Sequence, residues 1–138
     1  MRKYDNFSNS LNILKNADFQ QATENEVYRM GIIGQFNLTF ELAWKSLQAV
    51  LQKHSVAGSE TGSPRDILKL AYKIGYLSNS DIWLLMIKKR NLSIHVYDSE
   101  EEIDELIVMI RDSFIPAFIV LENLLKKKIE EIKNDSWN

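Results

Sequence analysis

The sequence predicts an all-α fold, an up-and-down antiparallel bundle of about five helices in a single domain spanning residues 1–138. Three observations predict it. Two long segments carry apolar residues at alternating steps of three and four, the spacing that lines them along one face of a helix. No segment reads as a strand, a repeat or a second domain. And 138 residues, 45% hydrophobic and 26% charged, suit one packed core and exclude wholesale disorder.

Near the start, Phe7, Leu11 and Leu14 mark a first helix. From about Glu24 to Lys53, the residues Ile33, Phe36, Phe40, Ala43, Leu47 and Val50 form a continuous apolar stripe. Leu38, Leu42 and Trp44 widen it, so two neighbours are expected to cover this helix. Its polar side carries Glu41, Lys45, Gln48 and Gln52, with Glu41 and Lys45 at the spacing of a surface ion pair. Gly31 and Gly34 sit inside the pattern and are expected to mark a close backbone approach, since no strand precedes them to build a phosphate loop. His54 reads as structural, at a helix end before a loop.

The run from Ala57 to Ser63 is a flexible loop. Ser63-Pro64-Arg65-Asp66 then starts a helix, with Ser as N-cap, Pro at the first helical position and an acid in the first turn. That helix ends at Gly75 and carries Arg65, Lys69 and Lys73 as one basic ridge. Ser78 or Ser80 caps the next helix, which runs to about Asn91. The last helix spans about Ser99 to Ile132, with Ile103, Ile107, Ile110, Phe114, Ala117, Leu121 and Leu124 as its apolar stripe. Glu100, Glu101 and Glu102 at its start and Lys126, Lys127 and Lys128 near its end match the helix dipole. Pro116 is expected to kink it.

Composition excludes several function classes. Without cysteine there is no disulfide framework, thiolate zinc site or cysteine nucleophile. The longest apolar runs, Ile82 to Ile87 and Phe114 to Leu121, fall far short of the roughly 20 residues of a membrane span. The opening residues lead into no apolar signal region, so a soluble cytoplasmic protein is expected. Neither His54 nor His95 has a glutamate three residues before it, as a bundle di-metal centre requires, and no Walker or dinucleotide motif is present. No metal and no cofactor are expected. The net charge of −2 argues against a general nucleic-acid binder. Its distribution is uneven, however. Between Arg65 and Arg90, Arg65, Lys69, Lys73, Lys88, Lys89 and Arg90 stand against Asp66 and Asp81, a net of +4 beside −6 for the rest. This sector is suited to phosphate, or is simply a solvated helix face.

The chemistry concentrates in Arg90-Asn91-Leu92-Ser93-Ile94-His95-Val96-Tyr97-Asp98. Around a helix terminus, an imidazole that titrates near neutral pH, a fixed cation and a phenol fall within eight residues of one another. His95 can take or give a proton, Arg90 can stabilise charge on phosphorus oxygens, and Asn91 can hold the arginine or the substrate. With RNA the nucleophile is the ribose 2′-hydroxyl, so no metal is needed. The same residues also suit a plain helix C-cap.

Three blocks carry a resemblance. Gln35-Phe36-Asn37-Leu38-Thr39-Phe40-Glu41-Leu42-Ala43-Trp44-Lys45, then Ser63-Pro64-Arg65-Asp66, then the Arg90 to Asp98 segment resemble the nucleotidyltransferase substrate-binding protein family of the HEPN superfamily, in order and spacing. The resemblance implies a homodimer with its motif helices near the two-fold axis, and a separate small nucleotidyltransferase as partner. Similar proteins form toxin–antitoxin pairs in which the helical subunit is a metal-independent ribonuclease. On that pattern Arg90 and His95 are catalytic, Asn91 matches the polar position after the arginine, and Tyr97 stands where the partner adenylylates. Arg65, Lys69, Lys73, Lys88 and Lys89 are the candidate contacts to RNA or partner. The alternative is a non-catalytic subunit that presents nucleotide or substrate to the transferase.

Overall fold

A computed structural model of the chain describes the backbone of residues 1–93 and 99–135, with side chains described for residues 1–90 and 99–134. The described residues contain helices and no strand. They are α1 (Arg2–Lys15), α2 (Phe19–Glu24), α3 (Glu26–Lys53), α4 (Pro64–Lys73), α5 (Ser80–Ser93), α6 (Glu100–Met109), a π-helical turn (Ile110–Phe114) and α7 (Ile115–Asp135). α6, the π turn and α7 run on as one rod, with Ile110 and Ile115 both in right-handed helical conformation. The all-α expectation holds. The described helical rods number six rather than about five, because α2 has only six residues, too few for a periodic pattern to declare itself.

α3 is the central rod. Every member of its expected stripe, Ile33, Phe36, Phe40, Ala43, Leu47 and Val50, is buried. α1 packs along it, α7, α4 and α5 cover other parts of its length, and α2 and α6 lie against it as well. Leu42 and Trp44 are partly buried, as a widened stripe requires, but Leu38 is 50% exposed. Gly31 and Gly34 are also exposed, and a methyl group at either would meet nothing within 4 Å. The close approach expected of them does not occur among the described residues.

The core is built on aromatic rings from five elements. Phe36 stacks on Phe114 at 5.1 Å, Phe118 lies edge-on to Phe7 at 6.1 Å, and Trp83 meets Phe118 edge-on at 5.6 Å. Phe40 packs tilted on Trp83 at 6.4 Å. Such pairs add about 0.5–1.5 kcal/mol each beyond the area they bury. Two polar seams fix helix register. Ser10 and Thr39 share a buried hydroxyl contact of 2.7 Å while the Gln35 amide donates to Ser10, tying α1 to α3. Ser8 donates to Glu122 at 2.7 Å, tying α1 to α7.

Local chemistry sets the helix ends. Ser63 and Asp66 form a reciprocal capping box at the start of α4, and Gly75, with φ of +88°, lets the chain leave it in a left-handed turn. α5 is capped by neither candidate serine. The Asn79 carboxamide accepts from the Ile82 N–H at 3.4 Å, as an N-cap does. Ser99 accepts from the Glu102 N–H at the start of α6.

The last rod departs from the expected pattern in a specific way. Its irregularity is the π turn, which lies just before Pro116. Proline has no N–H to offer the Asp112 carbonyl four residues back, and that carbonyl lies inside the π turn. A π turn accommodates one extra residue, so the phase of the inward face shifts beyond it. Ile107, Ile110, Phe114 and Leu121 are buried as expected, but Phe118 and Leu125 take the fully buried places assigned to Ala117 and Leu124, which are only partly buried.

Phe118 touches Phe7, Phe36 and Trp83, so Phe118→Ala opens a cavity that three helices must share. It is expected to cost about 3–5 kcal/mol, measurable by urea denaturation. A loss below about 1 kcal/mol contradicts this account of the core.

Candidate functional site

Arg90 is placed by the core itself. On α5 the inward positions are Trp83, Met86 and Ile87, all buried, and the next step of that stripe is Arg90. A guanidinium thus stands where an apolar side chain would otherwise close the end of the stripe. Its carbon lies 5.6 Å from the centre of the Phe40 ring, a cation–π contact with a core residue of α3. One guanidinium nitrogen sits 2.9 Å from Glu41 Oε1. The other Glu41 oxygen, Oε2, accepts from the Trp44 indole N–H at 3.1 Å. The two charged side chains are 25% and 31% exposed, sheltered but reachable from solvent.

The expected surface pair between Glu41 and Lys45 is therefore not formed. Glu41 reaches across to α5, and the Lys45 ammonium lies 6.0 Å from the centre of the Trp44 ring. The reason is shelter. A carboxylate beside a half-buried guanidinium gains more than one facing an exposed lysine on its own helix, where a pair is worth a few tenths of a kcal/mol. Trp44 also packs partly against the core, so its indole joins the site and the hydrophobic cluster together.

Of the other candidate residues, the backbone of Asn91 lies in the last turn of α5, while its side chain is outside the described residues. His95 and Tyr97 also lie outside the described residues. Lys88 is exposed and Lys89 half-buried on the turn of α5 that carries Arg90. Arg65, Lys69 and Lys73 are all exposed along α4, which packs against α5. His54 is held structurally, its Nε2 3.3 Å from the Lys128 carbonyl and its ring edge-on to Tyr76. A cleft of about 290 Å³ lined by Tyr76, Trp83, Ser113 and Pro116 does not include Arg90.

Comparison with known proteins follows the same lines. Residues 2–127 match the family described as nucleotidyltransferase substrate binding protein like. The chain belongs to this family. A relative from Haemophilus influenzae, named probable ribonuclease HepT, is 26% identical over 112 residues, covering 80% of this chain and 76% of that protein. Two solved structures share the fold of this nucleotidyltransferase substrate-binding-like chain. One, from Haemophilus influenzae and described as the fold of a substrate binding domain of a nucleotidyltransferase, aligns with a TM-score of 0.75 at 21% identity, over 89% of this chain and 98% of its own. The other, a crystal structure of a protein from Thermus thermophilus, aligns with a TM-score of 0.62 at 27% identity, over 91% and 98%.

The capping box at the start of the basic ridge makes a pH prediction. The Ser63 backbone N–H and hydroxyl hold the Asp66 carboxyl below its ordinary value of 3.8, with Lys69 and Arg65 adding smaller pulls in the same direction. A carboxyl depressed in the folded state contributes stability that is present above its unfolded pKa and lost as pH falls through the folded one. The melting temperature of the wild-type chain is expected to exceed that of Asp66→Asn at neutral pH, and the gap should close on acidification through and below the ordinary aspartate range. A gap that does not change with pH rules out this role for the carboxylate.

Proposed function

We propose that this chain is the HEPN-type subunit of a pair with a small nucleotidyltransferase, and that it cleaves RNA without metal through Arg90 and His95. The observation that carries this reading is the placement of Arg90: a cation fixed at the solvent edge of the core, five residues before a histidine in sequence. The family match and the name of the Haemophilus relative support it.

The chemistry follows from the residue types. The ribose 2′-hydroxyl attacks the adjacent phosphorus, a 2′,3′-cyclic phosphate forms, and the 5′-oxygen of the next nucleotide leaves. The 2′-hydroxyl gives up a proton and the leaving 5′-oxygen gains one; His95 carries one of these transfers and water the other. Arg90 meets the charge that builds on the non-bridging oxygens, where a pre-placed cation contributes most. Asn91 holds the arginine or the substrate. Arg65, Lys69, Lys73, Lys88 and Lys89 guide the RNA backbone or meet the partner, and contacts of that kind weaken with salt.

The active unit is a cytoplasmic homodimer. Val27, Met30 and Leu38 are exposed along α3 at 83%, 42% and 50%, with the open Gly31 and Gly34 between them, a face suited to a second helix. The partner transferase silences the nuclease by adenylylating Tyr97. The added phosphate and adenosine would sit two residues from His95, pair with the local cations and obstruct RNA entry.

Purified protein is expected to cleave RNA in the presence of a chelator, and His95→Ala to lose at least about 100-fold in rate with helicity unchanged by circular dichroism. Cleavage that survives His95→Ala, or that requires magnesium, overturns the nuclease reading. Intact mass after incubation with the partner transferase and ATP should rise by one adenylate, and Tyr97→Phe should abolish the rise. A stable complex with the transferase but no cleavage at any concentration favours the second reading, a substrate-binding subunit, which the family description itself supports.

A further inference from the structure

The environment of Arg90 contains two side chains to which the proposed chemistry assigns no role. A guanidinium sits on a long side chain with many rotamers, and catalysis by charge stabilisation depends on its orientation before substrate arrives. Here the orientation is set from two sides. Phe40, fully buried and locked against Trp83, supplies a flat apolar floor 5.6 Å away. Glu41, the next residue along α3, supplies a charged stop at 2.9 Å. Glu41 is itself not loose, because the Trp44 indole N–H, one helical turn on, holds its second oxygen at 3.1 Å. Lys45, the cation that would compete for Glu41 on the same helix, is placed over the indole ring instead.

We propose that Glu41 and Trp44 are positioning residues for Arg90: the indole fixes the carboxylate and the carboxylate fixes the guanidinium over Phe40, so that the cation meets a phosphodiester in one orientation. The proposal rests on reading Arg90 as the cation of the cleavage step. It also separates two roles that a nearby carboxylate can play. If Glu41 only neutralised Arg90, removing its charge would strengthen phosphate binding and lower KM. If it positions Arg90, removing its charge lowers kcat and leaves KM nearly unchanged.

The test uses the full chain and four variants, Glu41→Gln, Trp44→Phe, Arg90→Ala and Glu41→Gln with Arg90→Ala, each checked for an unchanged circular dichroism spectrum. Two quantities are read: metal-free RNA cleavage kinetics, and hydrogen exchange at the Arg90 Nε–H by NMR. Glu41→Gln is expected to lower kcat roughly 10- to 100-fold with KM within about twofold, and to speed exchange at Arg90. Trp44→Phe, which keeps the ring but loses the N–H, should move both in the same direction by less. In the Arg90→Ala background, Glu41→Gln should cause no further loss, since both act through one group. Wild-type kcat in Glu41→Gln, a lowered KM with a raised kcat, or unchanged exchange at Arg90 each overturns the proposal. If the wild-type chain cleaves no RNA, the nuclease reading fails by itself, and the exchange measurement alone decides whether Glu41 orders Arg90.

Discussion

The column of aromatic rings through the middle of the bundle is the constraint on which the rest of the molecule depends. Phe7, Phe36, Phe40, Trp83, Phe114 and Phe118 come from α1, α3, α5, the π turn and α7, and their contacts link these elements into one packed unit. Rings in close-packed interiors leave little room for sliding or rotation, so each helix is held in depth as well as in direction. The last ring of the column, Phe40, meets both the core residue Trp83 and the Arg90 guanidinium. The site is therefore the end of the core. Its cation is aimed by the same packing that stabilises the fold.

Polar contacts between helices refine what the rings establish. The Ser10, Thr39 and Gln35 cluster sits inside the α1–α3 contact, where an unmatched hydroxyl would cost about 1–3 kcal/mol and thus opposes a slipped register. Arg29 reaches Asp104 on α6, and Gln48 and Gln52 both donate to the Ser59 carbonyl, fastening the loop after α3 onto that helix. These contacts add little net energy, but they discriminate between neighbouring arrangements of similarly apolar surfaces.

Much of the fold was legible in the residues because it rests on local rules. The buried stripe of α3 matches its three-and-four spacing residue for residue, and the Ser63 to Asp66 capping box forms as its composition dictates. What was not legible depends on distant partners. Glu41 had a plausible neighbour in Lys45 at one helical turn, and only the folded chain brings Arg90 from 49 residues away. One signal was available: Arg90 continues the spacing of Trp83, Met86 and Ile87, and an arginine on an inward stripe demands a counter-charge from the facing helix. The glycines of α3 misled for a related reason, since among the described residues nothing lies within 4 Å of a methyl group at either. The substitution of Phe118 and Leu125 for Ala117 and Leu124 followed from a π turn that periodicity alone does not announce.

That wide turn has a consequence for how the two ends of the final rod relate. In an uninterrupted α-helix the azimuth of every side chain is fixed by the first, so a demand made at one end is inherited by the other. The additional residue between Met109 and Ile115 offsets that inheritance by a fixed step of about 100°. The α6 half, with its acidic opening turn, answers to its own neighbours, while the α7 half keeps Phe118 and Leu125 turned inward. One continuous rod thus serves two packing problems, with Leu106 and Ile107 buried at one end and Phe118 and Leu125 at the other.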